Sequence, residues 1–68
     1  MLIHFAEHIA DSEVEGCIHE LDEMGATVEQ KGERTFSVSV LKRSKYPFVV
    51  QFLEQEERRG ALRFESDE

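Results

Sequence analysis

Apolar and polar side chains alternate at the start of the chain, over residues 2–9. Ile3, Phe5 and Ile9 fall on one side of this segment, whereas Leu2, His4, Ala6 and His8 fall on the other. A period of two is typical of a strand with one buried face. We therefore predict a first strand over residues 2–9.

The next segment changes to helical spacing. Apolar side chains recur at steps of three and four residues, at Val14, Cys17, Ile18, Leu21 and Met24. This spacing places them on one stripe of a helix. Asp11 or Ser12 is the expected N-cap, and Gly25 is expected to end the helix in a left-handed conformation.

A short strand over residues 26–30 and a strictly alternating segment over residues 35–40 follow. Phe36, Val38 and Val40 are expected on the buried side of the second one. The intervening residues 31–34 contain a glycine among polar side chains. The pattern predicts a β-hairpin.

A basic connection leads to a second predicted helix, which Pro47 would begin and Gly60 would end. Its expected apolar face consists of Phe48, Val49, Phe52 and Leu53. Val50 lies off this stripe, near Tyr46, and is expected to be exposed. Leu62 and Phe64 alternate with charged residues and predict a last strand, after which residues 66–68 should fray. The side chains expected to be most buried include Leu21, Phe36, Val38 and Phe52.

The predicted order is β-α-β-β-α-β in a single domain, residues 1–68. This order resembles the ferredoxin-like split βαβ fold, an α+β fold. The resemblance implies a four-stranded antiparallel sheet in the order 4-1-3-2, with both helices on one face. The stretch IHELDEMGATVEQ is similar in part to ACT regulatory domains, which usually carry a glycine at the strand-to-helix turn, where this chain has Ala10, Asp11 and Ser12.

Charge is unevenly distributed along this chain of formal net charge −7. Residues 1–29 contain eight carboxylates and no Lys or Arg. An acidic half repels phosphate backbones and attracts basic surfaces, so nucleic acid is a disfavoured partner. We expect an acidic face on the first helix, made of Glu13, Glu15, Glu20, Asp22 and Glu23. No segment has the apolar length of a membrane span.

All three histidines and the single cysteine lie between His4 and Glu20, but their spacing disfavours a metal site. On a strand, His4 and His8 would be about 13 Å apart, at roughly 3.3 Å per residue, which is too far for one ion. Cys17 and His19 would face opposite sides of a helix. We expect no metal, no cofactor and no catalytic residue. The lone thiol, without a disulfide framework, is typical of a cytoplasmic protein.

Binding is the function that this pattern favours. We expect a small, non-catalytic protein-interaction or self-association module, whose partner is another protein or a second copy. The candidate surfaces are the open sheet face and the second helix, with His4, His8, Thr35, Ser37, Ser39, Tyr46 and Val50. One alternative is an acidic inhibitor or nucleic-acid mimic, which would place the first helix in a basic groove. Another is the small-ligand regulatory role that the similarity to ACT domains implies.

Overall fold

Strands and helices follow one another in the order that the sequence predicts. A computed structural model describes residues 1–65, and the predicted fraying of residues 66–68 lies outside the described residues. The elements are β1 (Leu2–Phe5), α1 (Asp11–Glu23), β2 (Ala26–Gln30), β3 (Thr35–Val40), α2 (Tyr46–Arg58) and β4 (Leu62–Glu65). A short 3-10 turn, Arg43–Lys45, precedes α2.

The four strands form one antiparallel sheet in the order β2-β3-β1-β4. This order confirms the ferredoxin-like split βαβ fold, because the first and third strands occupy the centre and each helix connects strands that are not neighbours. Ile3 lies opposite Phe36 on one side and Phe64 on the other. The register therefore places one row of apolar side chains across three strands.

The core lies between this row and the two helices. Ile3, Leu21 and Leu53 are completely buried, and the rings of Phe5 and Phe36 meet edge to face with their centroids 5.6 Å apart. Burying large aliphatic side chains supplies most of the stability of a small domain, because each contributes roughly 1.5–3 kcal/mol. The predicted burial of Leu21, Phe36 and Val38 is confirmed.

The first strand is shorter than its alternation predicts. It ends at Phe5, and residues 6–9 form a turn in which the Ile9 amide donates to the Ala6 carbonyl. The guanidinium of Arg34 also donates to that carbonyl, at 2.9 Å. These bonds bend the chain away from the sheet, so the prediction that His8 lies on the strand is wrong.

The ends of α1 agree with the sequence only in part. Ala10 occupies the N-cap position, and no side chain caps the helix there, so the prediction of Asp11 or Ser12 as the cap is wrong. At the other end Gly25 has a φ of +94°, as predicted for a helix-ending glycine. Gly60, after α2, has a φ of +80° and has the same role.

The buried face of α2 differs from the predicted one. Val49 and Leu53 are completely buried, but Phe48 is 61% exposed and Phe52 is only half-buried. Val50, which was expected to be exposed, is half-buried against the core together with Tyr46. Phe52 also packs against the core, so the buried face extends towards Tyr46 and Val50 and leaves Phe48 in solvent.

Candidate docking surface

The face of the sheet opposite the helices is open and mostly polar. At its centre, Leu2 lies opposite Ser37, and His4 lies opposite Thr35. Ser39 lies opposite Thr27 towards one edge, and Arg63 and Glu65 lie on the other edge strand. Leu2 is the only large apolar side chain that the described strands place on this face, so association through it would bury little apolar surface.

His4 connects three strands of the open face. Its Nδ1 lies 3.1 Å from the Thr35 hydroxyl, and its Nε2 lies 3.4 Å from a carboxylate oxygen of Glu65. A hydroxyl, an imidazole and a carboxylate in a row are also the parts of an acyl-transfer site, but that chemistry needs N–H donors for the oxyanion. Because β1 and β3 are central strands, their amides are used by the sheet. Thr35, His4 and Glu65 therefore link three neighbouring strands through side-chain hydrogen bonds.

The histidines and Cys17 do not converge. His8 is exposed in the turn after β1, whereas His19 pairs with Glu23 on α1 at 3.1 Å. Cys17 lies in the cleft between the two helices. In residues 1–65, no three His, Cys, Asp or Glu side chains come together to hold a metal ion.

This arrangement makes a prediction about zinc. Micromolar zinc should change the melting temperature of the protein by less than about one degree, because a site with fewer than three converging donors binds it weakly. Differential scanning calorimetry with and without equimolar zinc checks this. A rise of several degrees at a stoichiometry of one ion per chain would contradict it.

The acidic residues of α1 do not share one face. Glu13 and Glu20 border the cleft between α1 and α2, whereas Glu15 and Asp22 border a shallow pocket beside β2. Residues 13 and 15, or 20 and 22, are two apart and point to different sides of a helix. The fifth predicted residue, Glu23, pairs with His19. The single acidic face expected from the sequence is thus divided between two flanks.

The cleft between the helices encloses about 260 Å³ and contains Cys17. Burial raises the pKa of its thiol to about 12, and the negative charges of Glu56 and Glu20 act in the same direction, whereas Arg59 opposes them. Arg59 donates to both carboxylate oxygens of Glu56, at 3.1 and 2.7 Å. A thiol held neutral in this way is a poor nucleophile and a poor metal ligand.

The basic corner is the group of exposed residues Leu41, Lys42, Arg43, Lys45 and Phe48, which follow one another closely where the chain passes from β3 to α2. Leu41 is 83% exposed and Phe48 is 61% exposed, and they are the large hydrophobic side chains that residues 1–65 leave in solvent. Strand alternation turns Val40 inward and Leu41 outward. Between Leu41 and Phe48 in sequence lie Lys42, which precedes the 3-10 turn, and Arg43 and Lys45, which belong to it, and all three are exposed.

The cations of the basic corner have no carboxylate partners within the part of the chain that the structure describes. Elsewhere Arg34 pairs with Asp11, Arg59 with Glu56 and Lys31 with Glu29, whereas Lys42, Arg43 and Lys45, like Arg58 and Arg63, form no ion pair with a described residue. What distinguishes Lys42, Arg43 and Lys45 is that they lie close together in a chain of net charge −7. The basic corner therefore combines exposed apolar surface with a local charge opposite to that of the whole protein.

This surface does not follow from the sequence predictions. In them residues 42–45 are a connection, Phe48 is a core residue, and Leu41 has no role. Two signals were present. The strict alternation of β3 predicts that Leu41 follows Val40 onto the other face. The spacing of Tyr46, Val49, Val50 and Leu53 is the i, i+3, i+4, i+7 pattern of an amphipathic helix, which excludes Phe48.

Comparisons with known proteins found no significant match to this chain. No protein-family model matches it, and no curated protein or solved structure matches it significantly.

Among residues 1–65, neither α1 nor α2 has the length and apolar character that a helix needs to cross a membrane.

Proposed function

We propose that this protein is a small interaction module that acts by binding another protein, without catalysis. Its docking surface is the basic corner, and its ligand is an acidic protein segment that carries at least one large apolar side chain. The single cysteine, without a disulfide framework, supports a reducing compartment such as the cytoplasm as the place where it acts.

The observation that carries this proposal is the exposure of Leu41 and Phe48 beside three unpaired cations. Large apolar side chains in solvent lower the solubility of the free protein. Burying one of them fully against a partner would contribute roughly 1.5–3 kcal/mol to the free energy of binding. Exposed cations around them would orient a partner of opposite charge and speed its association. Half-buried Tyr46 and exposed Pro47 line a shallow concavity beside Arg43, which would receive an apolar side chain of the partner.

A protein segment fits the basic corner better than a polyanion does. A nucleic acid or an anionic membrane extends far beyond three cations and would meet the carboxylates of a chain with net charge −7. A short acidic segment meets only the local charge, because electrostatic interactions at physiological salt are screened over about 8 Å. Charge and size together favour a peptide-like ligand.

Fluorescence anisotropy with a labelled peptide tests this proposal. The peptide has a central leucine and tryptophan flanked by glutamates, and its control has the same composition with the apolar residues separated at the two ends. We expect the first peptide to bind in 50 mM salt and to lose affinity as salt rises. Vesicles containing phosphatidylserine and a single-stranded RNA, tested in parallel, should bind more weakly.

Point variants of the protein show which residues bind the peptide. Phe48→Ala and Lys42→Glu should each weaken peptide binding by at least about fivefold, since one removes apolar contact and the other reverses a charge. Arg58→Glu is the matched control, because it makes the same charge change at an exposed position of α2 outside the basic corner. Equal affinities for all four proteins, or a preference for RNA or vesicles, would contradict the proposal.

A further inference from the structure

The protein itself carries a surface complementary to its basic corner. The acidic pocket is the concavity lined by Glu15, Ile18, His19, Asp22 and Val28, between α1 and β2, with a volume of about 330 Å³. Ile18 and Val28 are half-buried and form its apolar floor. Glu15 and Asp22 are exposed at its rim, and neither is in an ion pair with another described residue.

We propose that the acidic pocket of one copy binds the basic corner of a second copy. This inference rests on the proposed function, for which it names the partner. The two surfaces are complementary in both apolar contact and charge. Leu41 or Phe48 would cover Ile18 and Val28. The cations of the basic corner would face Glu15 and Asp22. Such an arrangement places an apolar contact beside pairs of opposite charge, a combination that protein interfaces use.

The same charges explain why the contact forms between these two surfaces and not between like ones. Two basic corners, or two acidic pockets, would bring charges of the same sign together. The net charge of −7 on each copy opposes association at low salt, where repulsion acts over tens of ångströms. At physiological salt this long-range repulsion is screened, whereas close pairs at a partly dry interface retain most of their attraction.

Because the two halves of the contact are different surfaces, mixing variants provides a direct test. The corner variant carries Lys42→Glu and Lys45→Glu, and the pocket variant carries Glu15→Lys and Asp22→Lys. Sedimentation equilibrium at 150 mM salt should show self-association of the wild-type protein that each variant, alone, weakens by at least about tenfold. An equimolar mixture should associate again, since the corner variant keeps an intact pocket and the pocket variant an intact corner.

Two control variants make equal changes of charge elsewhere: Arg58→Glu with Arg63→Glu, and Glu33→Lys with Glu54→Lys, all at exposed positions. Both should associate like the wild type. A wild-type protein that stays monomeric at several hundred micromolar would overturn the inference, as would association that survives both test variants or a mixture that stays monomeric. The peptide experiment is independent of these results: if the peptide binds the basic corner of a monomeric protein, the proposed function stands and only the second copy is excluded.

Discussion

Leu53→Ala should leave most of the protein unfolded at 25 °C, whereas Phe48→Ala should change its stability by less than about 0.5 kcal/mol. Leu53 is completely buried, and removing a buried leucine side chain costs roughly 2–5 kcal/mol through lost burial and the cavity left behind. A domain below about 70 residues that lacks disulfides rarely has more than about 3–5 kcal/mol in reserve. Phe48 is 61% exposed, so its truncation removes few contacts.

Circular dichroism at 25 °C without denaturant reports the folded fraction of each variant, and urea unfolding of Phe48→Ala beside the wild type gives its change in free energy of unfolding. The comparison tests the packing of α2 specifically, because both residues belong to the helix and both belong to the apolar face that the sequence predicts. If Phe48→Ala also costs more than about 2 kcal/mol, the Phe48 side chain packs in the core, and the basic corner loses one of its two apolar side chains.

Cys17 should react with iodoacetamide at pH 8 at least about a hundredfold more slowly in the folded protein than in urea. Burial and the nearby carboxylates raise the pKa of the thiol from 9.0 to about 12, which lowers the thiolate fraction by roughly a thousandfold. Transient unfolding of a small domain exposes the thiol and limits the protection that can be observed. Mass spectrometry of timed samples gives both rates, and folded and unfolded rates within tenfold of each other would contradict the burial of this side chain.

The same thiol links stability to alkaline pH. Between pH 9 and pH 12 the unfolded chain loses the Cys17 proton while the folded protein keeps it. The folded state then binds more protons, so the free energy of unfolding falls as the pH rises through this range. Comparison with Cys17→Ala isolates this effect, because the variant keeps every other group that titrates there. Above pH 9, the melting temperature of the wild type should fall more steeply with pH than that of the variant.

Element order could be predicted because it depends on local pattern. Strict alternation in residues 35–40, helical spacing in residues 14–24 and the glycines at positions 25 and 60 are local signals, and all three correspond to elements of the structure. Once two crossovers and a hairpin are present, handedness rules leave few arrangements of the sheet. The boundary of β1 was wrong because the turn at residues 6–9 depends on Arg34, which is distant in sequence.

The candidate site was harder to predict because it depends on which of two helical stripes is buried. In α2, Phe48, Val49, Phe52 and Leu53 form one apolar stripe, and Tyr46, Val49, Val50 and Leu53 form another that is rotated around the axis. Both are compatible with a helix. Tyr46 and Val50 of the second stripe pack against the core, as does Phe52 of the first, and Phe48 alone of these side chains is left in solvent. The docking surface consists of side chains that do not pack in the core. It can therefore be located only when the packing of the core is known.

One measurement tests the central claim, that the basic corner is the docking surface, most directly. Amide chemical shifts of the nitrogen-15-labelled protein are recorded during titration with the acidic peptide that carries the central leucine and tryptophan. We expect the largest changes at residues 40–48, with little change at Leu2 and Ser37 on the open sheet face. Changes centred on the open face or on the cleft around Cys17, with residues 40–48 unaffected, would contradict the claim.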